Sequence, residues 1–243
     1  MVTAMARLLL EALAVLAMGI GAYKSRALDL KGAVSGVILG FLLLYLGGVY
    51  TFIAMALFVL VGIASTRYKL EYKLSKGLSS DGEDVRSAGN VWGNGLPAVI
   101  FLLVEAVMHR DAFWAATFAS IATVTGDTLA SELGKVFGKR PVLITTFKPV
   151  KPGTNGAVSF QGEIFALLGA CIIAPLSIPV VAHKLAVFLA VVIGGFVGVN
   201  VDSVIGATLE NKGLTDNNVT NLLAALLGGV TGVGVFLVMI RFA

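Results

Sequence analysis

The sequence predicts an all-α integral membrane protein, a bundle of about seven or eight transmembrane helices joined by short loops. Three observations carry this. Hydrophobic residues make up 57% of the 243 positions and charged residues only 13%, against about 25% charged in an average soluble domain. The charges cluster between long apolar runs. Those runs approach the roughly 20 residues that a helix needs to cross a bilayer, and they lack the polar/apolar alternation of outer-membrane strands. The chain therefore reads as a single polytopic membrane domain over residues 1–243, with no sizeable soluble domain.

Span one covers about Leu8–Tyr23. Lys24, Arg26 and Lys31 follow its apolar run, whereas a signal peptide carries its charge ahead of that run; it reads as a retained helix. Spans two and three, about Gly32–Leu46 and Val49–Thr66, are joined by a tight Gly47-Gly48 turn. A polar loop over about 67–90 follows, part of it a candidate interfacial helix and its Ser79–Asp84 piece mobile by composition. Span four runs about Val91–Met108 and span five about Ala112–Ala130, with only His109-Arg110-Asp111 between them. A second polar loop, about 132–156, leads to span six, about Val158–Pro179, whose far end is broken by Pro175 and Pro179. Span seven is about Leu185–Leu209 and span eight about Val219–Arg241.

Counting cations tests this division. Of the 18 Lys and Arg, loops one, three, five and seven hold Lys24, Arg26, Lys31, Arg67, Lys69, Lys73, Lys76, Arg86, Lys135, Lys139, Arg140, Lys148, Lys151 and Lys212. The opposite face holds only Arg7, Arg110, Lys184 and Arg241. Positive charge marks the cytoplasmic side, so both termini are expected on the outer face. The net charge of +4 speaks of this topology first, and no nucleic-acid partner is read from it. Both histidines, His109 and His183, fall on the face opposite the polar loops, which argues against a His-based centre with the acids. Cys171 is the single cysteine, so no intrachain disulfide forms.

Small-residue stripes aim particular acids inward. Gly194, Gly195, Gly198, Asp202 and Gly206 share one helical face. Ala116, Ala119, Thr123, Gly126, Asp127 and Ala130 share another, and Asn221, Ala225, Gly228, Gly229 and Gly232 a third. Small faces let membrane helices approach closely, but packing does not explain the polar residue near the end of each stripe. A carboxylate inside a span costs about 2.5–3.5 kcal/mol even on the lenient insertion scale, which makes Asp127 and Asp202 functional candidates. Glu132 joins them, although five residues from Asp127 is about 140° around a straight helix. Either the helix ends or bends near Ser131, or the two acids serve different ions. Asp127-Thr128 followed by Ser131 is echoed weakly by Asp202-Ser203 followed by Gly206.

Oxygen ligands with few histidines suit Mg²⁺ or Mn²⁺ shared with substrate phosphates. Arg140, Lys148 and Lys151 offer charge to phosphate oxygens. Gly153-Thr154-Asn155-Gly156 stands just before span six, where glycine allows close backbone approach and the helix start offers free N–H groups. Acids, cations and a Gly-rich turn together suggest phosphoryl transfer; no Walker GxxxxGK[ST] motif is present.

An ordered set of short motifs completes the reading: Arg86-Ser87-Ala88-Gly89-Asn90-Val91 with Asn94-Gly95; Asp127-Thr128-Leu129-Ala130-Ser131-Glu132; Thr145-Thr146-Phe147-Lys148; Pro152-Gly153-Thr154-Asn155-Gly156; Asp202-Ser203 with Gly206-Ala207-Thr208; and Asn218 with Asn221. From about Lys24 to the C-terminus the chain resembles the polytopic membrane family that contains the phytyl-phosphate kinase of vitamin E biosynthesis and transmembrane protein 19. Leu129, Ala157 and Glu163 depart from that family's pattern.

The resemblance implies a membrane kinase that moves a phosphoryl group from a nucleoside triphosphate, typically CTP, to an isoprenoid monophosphate such as phytyl or geranylgeranyl phosphate. Asp127, Asp202 and Glu132 are then expected to hold Mg²⁺ on the nucleotide. Lys148, Gly153, Thr154, Asn155, Gly156 and Ser159 are expected to orient the phosphoryl group. Arg86 and Asn94 are expected to close the site from span four, and Asn218 and Asn221 from span eight. The site is expected to face the cytoplasm, and the oligomeric state stays open. Two rivals remain at this point: a cytidylyltransferase acting on a lipid phosphate, and a cation- or proton-coupled transporter, which needs its acids near the bilayer midplane.

Overall fold

Gly48 decides the shape of the N-terminal half. The computed structural model describes residues 2–80, 82 and 85–242. Helix α1 spans Val2–Lys24 and α2 spans Leu30–Arg67. A straight 38-residue helix would be about 57 Å long, far more than a bilayer needs. At Gly48, however, φ is 72° and ψ is −169°, a conformation that glycine adopts without a Cβ penalty. The chain doubles back there. Thr51 Oγ1 donates to the Leu43 carbonyl at 2.9 Å, eight residues earlier. The Arg67 guanidinium donates to the Ser25 carbonyl, just before α2 begins. Spans two and three are thus an antiparallel hairpin turned at Gly47-Gly48.

The interfacial segment is the short helix α3, Leu70–Ser75. The Ser79–Asp84 stretch includes Asp81, Glu83 and Asp84, which lie outside the described residues. Helix α4 spans Ala88–Met108 and α5 spans Asp111–Phe137. Strands β1 (Val142–Leu143) and β2 (Ala157–Val158) then pair antiparallel, Val142 opposite Val158. Helix α6 (Phe160–Ile173) tightens into a 3₁₀ turn over Ala174–Val180, where Pro175 and Pro179 sit. Helix α7 (Lys184–Thr208), a 3₁₀ turn (Glu210–Lys212) and α8 (Asn217–Arg241) complete the chain. Local capping fixes where helices begin: Asp29 Oδ1 accepts from Gly32 N at 2.6 Å, Ser159 Oγ from Gly162 N at 3.1 Å, and Asp216 Oδ1 from Val219 N at 2.8 Å.

Among the described residues, five helices are long and apolar enough to cross a membrane by length and composition, and α2, folded back at Gly48, is long enough for two crossings. Helix α5 is less apolar for a physical reason. Residues 115–126 are buried without a break, because α2, α4, α6, α7 and α8 all pack around it. It meets protein rather than lipid, so it carries Ala, Thr, Ser and Gly in place of bulky side chains. The small stripes bring backbones together: a Cβ on Gly169 would lie 2.5 Å from Gly126 Cα, and one on Gly194 2.7 Å from the Gly228 carbonyl. Neither neighbour is a flexible side chain. Gly169→Leu is therefore expected to force α6 off α5 and destabilise the fold by about 1–3 kcal/mol or more, read as a lowered melting temperature in detergent.

The polar loops meet at one end of the bundle. The Arg86 N–H donates to the Ala27 carbonyl at 2.9 Å and the Arg86 carbonyl accepts from Asp29 N at 3.1 Å, stitching loop one to loop three. Lys135 Nζ donates to Ser79 Oγ at 3.4 Å, and Asn155 Nδ2 to Glu210 Oε1 at 3.0 Å. These bonds join loop three to the end of α5, and loop five to loop seven.

Candidate functional site

A polar cleft opens at this loop-bearing end, enclosing about 1,820 Å³ of free space that merges with solvent. Helix α5 lines it with Asp127, Ser131, Glu132 and Lys135, α7 with Asp202 and Ser203, and α8 with Asn221. Arg86 and Asn94 come from the α4 side, and the whole Pro152–Ser159 segment closes another wall.

Asp127 and Asp202 thus reach the same space from neighbouring helices, and Asp202 feels the charges of Asp127 and Glu210. Among the described residues, Asp202 Oδ2 and Asn221 Oδ1 are buried with no hydrogen-bond partner. A buried carboxylate oxygen without a protein partner is costly, and a cation or a hydrogen-bond donor at this corner would offset that cost.

The Gly-rich turn lies against α7. Gly153 and Gly156 have φ of 83° and 75°, where only glycine is unstrained. A Cβ on Gly156 would fall 2.5 Å from Ala207 N and from the Ser203 carbonyl. Asn155 spans to Glu210, and its carbonyl accepts from Asn211 Nδ2 at 3.2 Å. Gly156→Ala is expected to lift the turn from α7, adding strain of about 1–3 kcal/mol. Faster amide exchange over 153–158, with slower exchange elsewhere unchanged, checks it.

Several residues take different parts from those expected. Glu132 does not sit at a helix end, because α5 continues unbroken to Phe137. Its carboxylate is engaged in ion pairs: Oε2 lies 2.5 Å from Lys73 Nζ and Oε1 3.3 Å from Lys135 Nζ. Glu132 therefore organises cations rather than presenting a free metal ligand. Lys148 is exposed and outside the cleft lining. The chain reverses there, with Leu143 N donating to the Lys148 carbonyl at 2.9 Å. Asn218 lies between helices instead of in the cleft: its Oδ1 accepts from Asn90 Nδ2 at 3.0 Å, packed over Gly89 and Gly93. Ser159 lines the cleft while capping α6. Asn94 is buried, donating to the Asn90 carbonyl at 2.7 Å and accepting from Asn221 Nδ2 at 3.2 Å.

Arg86 supplies positive charge deep in the site. Burial pulls its guanidinium below the usual range, and the charges of Glu132 and then Asp127 oppose that pull; arginine remains cationic throughout. Glu210, Lys135 and Lys73 were not among the expected residues. Glu210 falls at i+8 from Asp202 on the stripe that also carries Gly206, so its position was legible. Nothing in the spacing of Lys73 marked it for burial beneath the site.

Among the described residues, no three of His, Cys, Asp or Glu gather tightly enough to hold a metal alone. Asp127 and Asp202 line one cleft, and a pair of carboxylates is a donor set that Mg²⁺, which completes its shell with waters and substrate phosphates, would suit. Asp127 and Asp202, with the unpartnered Asp202 oxygen, are the residues that would hold it.

Fold and cleft together define a polytopic helical membrane protein with an acidic, glycine-lined cleft at one end. The chain belongs to the integral membrane protein family DUF92, whose family model matches residues 13–231. This is the polytopic family that the ordered motifs resemble. An uncharacterized membrane protein of Methanocaldococcus jannaschii is 34% identical over 95% of this chain and 94% of its own length. An uncharacterized membrane protein of Synechocystis is 34% identical over 76% of this chain and 73% of its own. Protein VTE6, chloroplastic, of Arabidopsis thaliana is 26% identical over 85% of this chain and 64% of its own. No solved structure matches the chain.

Proposed function

We propose that the protein is a membrane phosphotransferase moving a phosphoryl group from a nucleoside triphosphate, CTP favoured, to an isoprenoid monophosphate, giving the diphosphate. The observation that supports it most is the unpartnered Asp202 oxygen in a cleft that Asp127 and a turn of positive-φ glycines also line. An acidic corner and an anion-compatible backbone turn in one cleft suit a metal-bound triphosphate. The ordered motifs, shared with the family of the phytyl-phosphate kinase, support the acceptor class.

In this reading Asp127 and Asp202 would hold a Mg²⁺ ion, whose charge would offset that of the nucleotide's outer phosphates. Asp127 and Asp202 hold that end of the nucleotide in place. The Gly153–Gly156 turn and Ser159 orient the γ-phosphoryl group. Arg86, Asn94, Asn221 and Lys135 position the acceptor phosphate. An acceptor oxygen forms the new bond to the γ-phosphorus as the bond to the departing nucleoside diphosphate breaks. That acceptor is already anionic, so no strong general base is needed, and positioning with charge neutralisation carries the rate. The cleft faces the cytoplasm, following the Lys/Arg excess of its loops.

Purified protein supplied with Mg²⁺, γ-labelled CTP or ATP and geranylgeranyl or phytyl monophosphate tests this directly. Label on a lipid diphosphate is the expected result. CMP on the lipid with released pyrophosphate identifies a cytidylyltransferase instead. Transfer to neither acceptor removes the phosphotransferase reading.

A further inference from the structure

A second cavity adjoins the cleft, and its chemistry is the opposite. It encloses about 960 Å³ of free space, part of it open to the surroundings, between α1, both halves of α2 and the start of α4. Val15, Leu39, Phe52, Met55, Val59 and Ile63 form its apolar wall. Gly36 and Gly40 leave room along the first half of α2. Its charged residues, Arg67 and Arg86, both belong to the loop-bearing end.

Four residues line both cavities: Thr66, Arg86, Asn90 and Asn94. The apolar chamber therefore ends on a polar wall whose other side is the acidic cleft. Within that wall the Arg86 guanidinium lies 3.5 Å from Thr66 Oγ1 and 5.9 Å from the Phe58 ring centre, held between the two spaces. An apolar chamber with a cation at one end is complementary to an amphiphile with an anionic head.

We propose that this chamber between α1 and the α2 hairpin holds the single hydrocarbon tail of the acceptor, with Arg86 and Asn94 receiving its phosphate monoester head at the wall shared with the cleft. The proposal rests on the phosphotransferase reading for the identity of the ligand, and on the two adjoining cavities for its place. The occupant is an isoprenoid monophosphate rather than a two-chain bilayer phospholipid. The chamber is apolar along α1 and both halves of α2 and meets the cleft only across Thr66, Arg86, Asn90 and Asn94, a layout that suits one tail ending in a compact anionic head.

Photolabelling tests it without requiring turnover. Geranylgeranyl monophosphate carrying a diazirine at the tail terminus is bound to the full chain in nanodiscs, irradiated, and the adduct mapped by mass spectrometry. Saturable labelling of chamber residues such as Val15, Phe52 or Met55 is expected, competed by unlabelled geranylgeranyl monophosphate and not by dioleoyl phosphatidic acid. Labelling confined to lipid-facing residues, labelling that does not saturate, or equal competition by phosphatidic acid overturns it.

Gly36→Phe supplies a second measurement. A Cβ at Gly36 meets only Leu28 Cδ1, at 3.6 Å, so the helix tolerates the side chain while the ring occupies the chamber. The ratio of KM for the C20 acceptor to KM for the C10 geranyl phosphate is expected to rise about tenfold. An unchanged ratio overturns the proposal, and Ile63→Trp repeats the measurement from the opposite wall. Saturable chamber labelling without any phosphoryl transfer sinks the kinase reading alone. Transfer with the tail labelled elsewhere sinks the chamber alone.

Discussion

Asp202→Asn is expected to slow phosphoryl transfer by roughly 10³-fold, about 4 kcal/mol of transition-state stabilisation, while the protein remains folded. Asparagine matches aspartate in size and keeps the α7 stripe of Gly194, Gly195, Gly198 and Gly206 intact. What it removes is the charge, including the buried oxygen that has no protein partner. Such an oxygen destabilises the resting protein. The melting temperature of the variant should therefore equal or exceed the parent's. Loss of transfer with undiminished stability separates a ligand-directed group from a structural one. An Asn variant working at the parent's rate removes Asp202 from the proposed site.

Glu132→Leu has the largest expected effect on stability. Lys73 is fully buried, and its Nζ donates to the Ser65 carbonyl at 3.1 Å, the Thr66 carbonyl at 2.5 Å and Glu132 Oε2 at 2.5 Å. Removing the acid leaves a buried ammonium facing only carbonyl dipoles. Breaking a buried pair from one side costs about 3–5 kcal/mol. The double variant Lys73→Met/Glu132→Leu should recover much of that loss, because both desolvated charges are gone. Unfolding in detergent by heat or denaturant gives the comparison. A double variant no more stable than the single one would mean that the pair contributes nothing as a pair. The ion pair also joins α3 to α5 beneath the cleft, so loss of activity should accompany loss of stability.

The parts of the fold legible in the sequence are those set by local chemistry. Gly47-Gly48 marks a reversal because a hairpin between two crossings needs positive φ, and Gly48 supplies it. Pro175 and Pro179 end α6 because neither can donate to a helix ladder, and the chain becomes a 3₁₀ turn there. Asp127 and Asp202 stood out because a carboxylate in an apolar run has no bland explanation, and both line the cleft. What the sequence did not disclose depends on tertiary neighbours. The polar letters after Ala130 read as a loop, yet α5 continues to Phe137, because Glu132 and Lys135 find partners across the site. Lys148 reads as a site cation beside a Gly/Pro-rich stretch, but it is exposed and outside the cleft lining, just after the reversal at Phe147, where φ is 54°. Lys73 sits in a charge-rich segment that looks uniformly solvated, and only folding of α3 over the ends of α2 and α5 buries it.

The stitch between Ala27, Asp29 and Arg86 has an entropic consequence. Both backbone polar groups of Arg86 are bonded, and its side chain rests against Phe58 and Thr66. A long, freely rotating arginine surrenders considerable rotamer freedom when it grips an anion. Here part of that freedom is already spent during folding, so in the proposed site the guanidinium would meet an anion with less left to lose. In the proposed site, the short connection from Ser25 to Asp29, which does not itself line the cleft, would thereby bear on affinity through Arg86.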